Sequence, residues 1–338
     1  MSKSNFVYWK EVVGLEEYDF PHLIKLDEEN INLARIAPSR INEIQKAIAT
    51  NRLVDIQVQP GWGATTLFHY MADIVKNSKL NLDVLFDFEK DQFQHGDLSQ
   101  NEFVFQIKWK LASGMLDIML KHSLQECYMF EVFDFEDTGD KPFRAYLREK
   151  RRELNDCRDN RINFYTNFPF FADQEITECV DYFLKNFQIQ TIFMYLFPRE
   201  AEEDDILDFT GIIKNIFDGK SISPAAIREV FFLTPNVFWT MRQCYERPYI
   251  NIHYQQYSAA EIFGMLVNTY RLQDNSNATI SDLFEQEFIT SVYNKALTLN
   301  QIMDLVEEKI VSLLDGERNE VPYKLTLERY SKMEGHLL

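Results

Sequence analysis

The sequence predicts an α/β protein in which a parallel β-sheet is covered by helices on both faces and is followed by a helical C-terminal segment. Nearly continuous apolar strands alternate with amphipathic helices over most of the chain, a pattern typical of buried parallel sheets. One strand runs through a glycine-rich turn directly into a helix, and from Ser258 onward the pattern becomes entirely helical. These three observations define the predicted fold.

The first part of the chain leads into the strand that organises the rest. Residues 1–38 mix aromatic and acidic side chains, and we expect them to form a segment that packs on the main domain. A helix should begin at Ser39, whose hydroxyl can cap it, because Ile41, Ile44 and Ile48 then share one face. This helix precedes the glycine-rich stretch.

The glycine-rich stretch is predicted to be a strand at Val54–Gln59, a turn, and a helix over residues 65–76. Gly61 and Gly63 allow the backbone to turn tightly and to approach a ligand closely. The first N–H groups of the helix and its positive dipole end then point toward an anion. This is the layout of a loop that binds phosphate groups.

The remaining elements continue the alternation of strands and helices. Short apolar runs predict strands at residues 82–88, 128–135, 189–197, 228–234 and 249–253. Periodic runs predict helices from Asp97 or Ser99 to about Leu120, and over 141–161, 173–186 and 203–217. The predicted organisation is a segment at 1–38, an α/β domain at 39–257 with an inserted basic helical segment at about 141–170, and a helical lid and tail at 258–338.

The composition is that of a large globular chain. It has 338 residues, 46% of them hydrophobic, and a formal net charge of −18. The four cysteines are widely spaced without a CxxC pair, so neither a zinc site nor a disulfide framework is indicated. No apolar run approaches the roughly 20 residues that span a bilayer, and no signal peptide is evident, so we expect a cytoplasmic protein without membrane contact.

The order of motifs resembles the AAA+ branch of the P-loop ATPases, in particular the group of origin-recognition and transposition-regulating ATPases. The stretch PGWGATTL stands where that family has PGSGKTTL, and IFMYLF is similar to its core strand. REVFFLTPN is similar to the next strand, which ends in a polar sensor residue, here Asn236. INIHYQQYSAAEIFGMLVNTYRL is similar to the link into a helical lid, and the resemblance covers roughly residues 36–315. It implies a three-layer P-loop NTPase domain of the AAA+ type, with the lid following.

The chain departs from this family at the residues that carry hydrolysis. The lysine that grips the terminal phosphates is replaced by Ala64, and the core strand runs into Pro198 rather than into an Asp-Glu pair. A rival placement of the acids is Asp134 and Glu136, which lie at the end of the run 128–135 and could hold Mg²⁺. No arginine occurs near positions 297–299, where the family has one. Arg247 stands where an arginine finger could reach a neighbouring subunit, although we favour the alternative of an ordinary surface or capping arginine.

Nucleotide binding remains compatible with the loop. Main-chain N–H groups and the Thr65 hydroxyl could hold ATP or ADP weakly, with Thr65 as the contact to Mg²⁺. The predicted contacts are Gly61, Trp62, Gly63, Ala64, Thr65 and Thr66. Trp62 could instead simply pack, and Trp62 with Val58 could fill the space that a phosphate would occupy.

Two further segments are candidates for contacts with partners. At helical spacing, Arg144, Arg148, Arg151 and Arg152 could share one face of the segment 141–161. That face could bind a nucleic-acid backbone, dock an acidic subunit, or form a solvated surface with salt bridges. The aromatic segment 163–171 is either core or a subunit contact.

Three functional hypotheses follow from the sequence. The first is a catalytically degenerate AAA+-like protein that hydrolyses ATP weakly or not at all and acts as a scaffold or regulatory subunit in a larger, DNA-associated complex. The second is an active ATPase that uses Asp134 and Glu136 and remodels DNA or protein complexes. The third is a purely structural assembly subunit that binds no ligand.

Overall fold

The computed structural model describes residues 38–76, 81–88, 99–121, 129–133, 143–198, 201–217, 223, 225–254 and 256–262, together with the positions 290, 297–298, 301–302 and 305. The helices in this part of the chain are α1 (Pro38–Thr50), α2 (Ala64–Lys76), α3 (Gln100–Lys121), α4 (Met129–Phe133), α5 (Phe143–Asp156), α6 (Arg161–Asn167), α7 (Pro169–Asp173), α8 (Ile176–Phe187), α9 (Glu203–Phe217) and α10 (Pro235–Cys244). The strands are β1 (Leu53–Val58), β2 (Asn81–Asp87), β3 (Gln190–Leu196), β4 (Ile227–Leu233) and β5 (Ile250–Tyr254).

The five strands form one sheet in the order β2-β3-β4-β1-β5. The pairs β2–β3, β3–β4 and β4–β1 are all parallel, so each is joined by a crossover that carries helices. Because β1 lies inside the sheet, all six of its residues are buried. This confirms the predicted α/β class and the parallel sheet.

The two faces of the sheet are covered by different helices. Phe68 of α2 packs edge to face on Phe232 of β4, with ring centroids 5.4 Å apart. On the other face, α3 packs on β2 and α10 packs on β1 and β4. The predicted helices on both faces are therefore present.

An aromatic layer runs across three neighbouring strands on the face that α3 and α9 cover. Tyr195 of β3 stacks on Phe86 of β2 at 5.7 Å and on Phe231 of β4 at 4.8 Å. Phe209 of α9 packs edge to face on Tyr195 at 5.7 Å, and on Phe103 of α3 at 5.3 Å. These contacts lock the register of the parallel strands, since a slip of one residue would turn every ring to the opposite face.

The aromatic segment 163–171 is part of this core. Phe164, Phe168 and Phe171 are completely buried, and Phe164 lies 5.5 Å from Phe105 of α3. The segment was expected to be either core or a subunit contact, and the structure shows that these three rings belong to the core.

One predicted strand is wrong. Residues 128–135 were expected to be extended, but Met129–Phe133 form the short helix α4. Phe133 packs against Phe168 and Phe171, each with centroids 6.3 Å away. A short apolar run does not by itself distinguish a strand from a buried helical turn, and here the aromatic cluster decides.

The chain divides into two compact units. The first contains residues 1–43, 59–67 and 254–338, and the second contains residues 44–58 and 68–253. The second unit holds nearly all of the sheet and its covering helices. Within the described residues, no helix combines the length and the apolar character needed to cross a membrane.

Two carboxylates are completely buried on neighbouring strands of the second unit. Asp55 of β1 forms a two-pronged ion pair with Arg242 of α10, whose Nε donates to Asp55 Oδ2 at 2.7 Å while Nη2 donates to Oδ1. Glu229 of β4 accepts hydrogen bonds from the Tyr245 hydroxyl at 3.0 Å and from Arg247 Nη1 at 3.3 Å. Arg242 also stacks over the Tyr249 ring at 4.0 Å. Each buried acid therefore has an arginine beside it.

We expect Asp55 to make stability depend on pH. Burial raises the pKa of its carboxyl from 3.8 to about 6, although the hydrogen bond and charge of Arg242 oppose the rise. The folded state thus holds this proton more tightly than the unfolded chain, so the stabilisation is present below pH 3.8 and is lost as the pH rises through about 6. A rise of this size corresponds to roughly 3 kcal/mol.

The measurement is the free energy of urea unfolding between pH 4 and 7.5 for the wild type and for the double variant Asp55→Asn/Arg242→Met. The double variant removes the titrating group without leaving a charged partner unpaired in the core. Relative to it, the wild type should lose stability over this range. Parallel pH profiles for the two proteins would contradict the assignment.

Candidate functional site

The glycine turn is formed as the sequence predicts, within the first unit. Gly61 and Gly63 have φ values of 80° and 87°, in the left-handed region that favours glycine. Trp62 N donates to Gln59 O at 3.1 Å, and Leu67 N donates to Gly63 O at 2.9 Å, which closes the first turn of α2. The N–H groups that precede Leu67 at the start of this helix have no intrahelical acceptor.

Ala64 is the first residue of α2, at the position where a phosphate-binding lysine would stand. Its half-buried methyl group provides neither charge nor hydrogen bond. Thr65 and Thr66 follow in the first turn and are also half-buried. The loop therefore offers main-chain donors and hydroxyls but no cation from its own residues.

Trp62 lies inside the first unit instead of projecting from the tip of the turn. It is 2% exposed, and its ring centroid lies 6.0 Å from that of Tyr257 at an interplanar angle of 40°. Tyr257 packs edge to face on Tyr254 at 5.7 Å, and their hydroxyls are hydrogen bonded. Of the interpretations of Trp62, these contacts support packing.

Thr298 lies directly against Gly61. A Cβ built on Gly61 would lie 2.6 Å from both Cβ and Cγ2 of Thr298, well inside contact distance. Thr298 begins a helical turn, since its N–H donates to Gln301 Oε1 at 2.8 Å and Gln301 N donates to Thr298 Oγ1 at 3.3 Å. Position 298 is also where the family resemblance implies an arginine, so a small neutral residue lies beside the turn.

Asn236, the polar residue predicted to follow β4, and the nearby Thr234 differ in their exposure to solvent. Asn236 is exposed on α10, whereas Thr234, the residue before the helix, is 8% exposed and its hydroxyl has no hydrogen-bond partner among the described residues. The side-chain nitrogen of Gln57, at the end of β1, is likewise buried and has no hydrogen-bond partner among the residues that the structure describes. Gln57 pairs in register with Leu233, so both orphaned groups lie at the carboxyl ends of adjacent strands.

Sequence reasoning missed Gln57 and Thr234. The signal that could have found them is a polar residue at the end of an otherwise apolar strand. Carboxyl ends of parallel strands are where ligands bind in open α/β sheets. An unpaired buried polar group at such an edge is a candidate ligand contact.

Arg247 belongs to the second unit and is bound by other residues of that unit. Its guanidinium approaches Glu229 at 3.3 Å and lies over the Tyr245 ring at 5.2 Å. The side chain is 18% exposed. With these contacts Arg247 is neither a surface nor a capping arginine, and reaching a neighbouring subunit would require it to leave a buried carboxylate.

The proposed acidic residues Asp134 and Glu136 lie outside the described residues, as do Arg199 and Glu200 after the third strand. Asp55 and Glu229 are buried in the second unit and are paired with arginines. A carboxylate that is bound in this way has few oxygen lone pairs left for a metal ion.

The arginines of α5 do not all lie on one face. Arg151 donates to Ser113 O at 3.1 Å and pairs with Asp117 at 3.2 Å, both on α3. Arg144, Arg148 and Arg152 are exposed at intervals of four residues, so they form a stripe on the outer side of the helix. The basic face that was predicted to contain four arginines therefore contains three of them.

The interior parallel strand, the turn with two left-handed glycines and the helix that follows give an α/β fold with the strand–turn–helix layout of a phosphate-binding loop. No family model matches the chain, and neither does any curated protein. The fold assignment therefore rests on the strand order and on the geometry of the turn.

Three solved structures show a distant similarity to the chain. The Orc1 protein of Aeropyrum pernix in complex with DNA has a TM-score of 0.38 and 8% identity, over 90% of this chain and 67% of that one. Drosophila ORC bound to DNA has a TM-score of 0.38 and 10% identity, over 99% and 66%. Cdc6p from Pyrobaculum aerophilum has a TM-score of 0.35 and 11% identity, over 97% and 71%.

The contact between Gly61 and Thr298 predicts that the two glycines of the turn tolerate substitution differently. Gly61→Ala and Gly63→Ala should each cost about 1–2 kcal/mol from positive φ. Gly61→Ala should cost at least about 1 kcal/mol more, because its Cβ meets Thr298 while a Cβ at Gly63 meets no described atom within 4 Å. Urea unfolding of both variants measures the difference.

The second arm of this test is Thr298→Gly, which removes both atoms that the new Cβ meets. Combined with Gly61→Ala it should recover the excess loss, whereas combined with Gly63→Ala it should not. Additive behaviour in both pairs would show that Thr298 does not constrain Gly61.

Proposed function

We propose that this chain is a catalytically degenerate, AAA+-like P-loop protein that hydrolyses ATP weakly or not at all and acts as a scaffold or regulatory subunit. The observation that carries the proposal is the turn Gly61–Gly63 followed by Ala64. The backbone conformation that places N–H groups around an anion is kept, and the lysine that would neutralise the transferred phosphoryl group is replaced by a methyl group.

Phosphoryl transfer depends on positioning and on neutralising charge, so it requires a cation at the terminal phosphate and carboxylates for Mg²⁺. Ala64 does not supply the cation. The carboxylates Asp55 and Glu229 in the second unit are neutralised by Arg242 and Arg247. The missing cation at position 64 supports a protein that has lost efficient hydrolysis.

Weak binding of ATP or ADP with Mg²⁺ is part of the proposal. The first N–H groups of α2 and the Thr65 hydroxyl would hold the phosphates and the metal, since a backbone nest does not depend on a lysine. We expect a Kd on the order of 0.1–1 mM. Isothermal titration calorimetry with MgADP and MgATP tests this directly.

Restoring the lysine should reverse part of the loss. Ala64→Lys adds a charge-assisted contact to the phosphates, worth roughly a ten- to hundredfold gain in MgATP affinity. Ala64→Met is the matched control, because it adds a chain of similar length without charge. Calorimetry of the three proteins under identical salt conditions compares the Kd values.

The outcomes of this titration separate the hypotheses. A gain in Ala64→Lys but not in Ala64→Met supports a phosphate-binding turn. No binding in any of the three proteins would favour the purely structural alternative, for which the packing of Trp62 and Thr298 around the turn is the supporting observation. Wild-type turnover within the ordinary enzyme range of about 1–1,000 s⁻¹ would overturn the proposal.

If the wild type does turn over ATP, Asp134→Asn tests the alternative of an unorthodox active site. Loss of turnover with retained nucleotide affinity would assign Asp134 to catalysis. Retained turnover would exclude Asp134 from catalysis.

Association with DNA is the second candidate role, favoured by the stripe Arg144, Arg148 and Arg152. A phosphate backbone requires dense positive charge, and the net charge of −18 opposes it elsewhere on the chain. Fluorescence anisotropy with duplex DNA at about 150 mM salt tests it, because weak basic patches appear strong only at low ionic strength.

A further inference from the structure

Two arginines lie side by side in the second unit, where the strands β1 and β4 begin. Arg52 directly precedes β1, and Arg228 is the second residue of β4. Leu53 pairs in register with Glu229, and Glu229 N donates to Arg52 O at 2.8 Å. The two arginines therefore occupy adjacent positions at the amino edge of the sheet, the opposite edge from the carboxyl ends described above.

Arg228 is fixed by main-chain carbonyl groups. Its Nε donates to Ile48 O at 3.2 Å, and its Nη1 donates to Ile227 O at 3.2 Å. Ile48 belongs to the last turn of α1, where a cation commonly binds the terminal carbonyls of a helix. Arg228 therefore has a structural role, and its positive charge is held in place beside Arg52.

The guanidinium of Arg52 is not matched in this way. The side chain is half-buried, and its Nε and Nη2 atoms are buried and donate to no acceptor among the described residues. These two nitrogens form one edge of the guanidinium, and the same edge of Arg242 binds both carboxylate oxygens of Asp55. Arg52 therefore presents a fork of two parallel donors that has the geometry to bind two oxygens of one anion.

The two guanidinium groups destabilise each other. Burial and the positive charge of Arg52 both lower the pKa of Arg228, so the cations are close enough to repel. A buried charged donor without an acceptor adds a further cost to the folded state. An anion bound by Arg52 would offset the repulsion and would accept the two unused hydrogen bonds.

We propose that Arg52, beside Arg228, binds the phosphate group of a small molecule. A phosphomonoester carries a charge of about −1.5 to −2 at pH 7, which matches two adjacent guanidinium groups better than a singly charged carboxylate does. Its oxygens also fit the planar fork of an arginine. Because the fork lies below the surface, the site suits a small anion rather than a continuous nucleic-acid backbone. The proposal does not rest on nucleotide binding by the glycine turn.

The experiment is a titration of the full chain with inorganic phosphate at a constant ionic strength of about 150 mM, followed by broadening of the phosphorus NMR signal. The wild type should bind with a Kd on the order of 1 mM. Arg52→Met keeps the aliphatic stem but removes the fork and the charge, and should weaken binding at least about tenfold. Arg52→Lys keeps the charge without the fork, and should give an intermediate Kd.

Stability provides an independent measurement. In chloride, Arg52→Met should have a higher thermal unfolding midpoint than the wild type, because it removes a buried charge that repels Arg228. Replacing chloride by phosphate at equal ionic strength should raise the midpoint of the wild type but not that of Arg52→Met. A variant that folds poorly would instead show a lower midpoint in chloride, so a folding defect is not mistaken for lost binding.

The matched control is Arg161→Met, which makes the same substitution at an exposed position at the start of α6. This helix packs on α3 through Phe164 and Phe105, on the face of the sheet opposite to α2. Arg161→Met should bind phosphate as the wild type does. The MgADP affinity of Arg52→Met should equal that of the wild type, which separates this site from the turn.

A second probe, glycerol 3-phosphate, identifies the source of the phosphate group. Binding at least as tight as that of inorganic phosphate assigns an organic phosphomonoester to the site, and weaker binding assigns the free ion. Phosphate affinity that is unchanged in Arg52→Met, or equal stabilisation of Arg52→Met and the wild type by phosphate, would overturn the proposal.

Discussion

The rest of the structure depends on the burial of β1, whose two sheet faces are covered and which has a neighbouring strand on each side. Its six residues are buried between β4 and β5, and the chain leaves the strand at the carboxyl edge of the sheet. A turn of few residues must then reverse direction into α2, and two left-handed glycines make that possible. The turn therefore lies at the carboxyl end of an interior strand.

The same interior position explains the buried charges. A carboxylate on a strand that is buried on both faces is costly unless a cation lies beside it, and Asp55 and Glu229 each have one. Breaking either pair leaves an isolated charge in the core. These arginines therefore act first as structural groups, and any contact they made with a neighbouring molecule would compete with the stability of the second unit.

Much of the fold was predictable because strands and helices of this type leave periodic signals. The strand at 189–197, the acidic helix at 203–217 and the cap at Ser99 agree with the structure to within a residue or two. The strand predicted at 128–135 failed because the packing of Phe133 on a distant aromatic cluster overrides local propensity. The ion pair between Arg151 and Asp117 depends on which helices meet in the fold. The same is true of the buried Thr234 hydroxyl, which has no partner among the described residues, and a single sequence does not encode such long-range contacts locally.

The contact of Thr298 with Gly61 changes how the glycine motif should be interpreted in related chains. Selection against a side chain at that position follows from the neighbouring threonine alone, whether or not a phosphate ever visits the turn. The contact with Thr298 therefore constrains position 61 by packing, and it places no constraint on position 64.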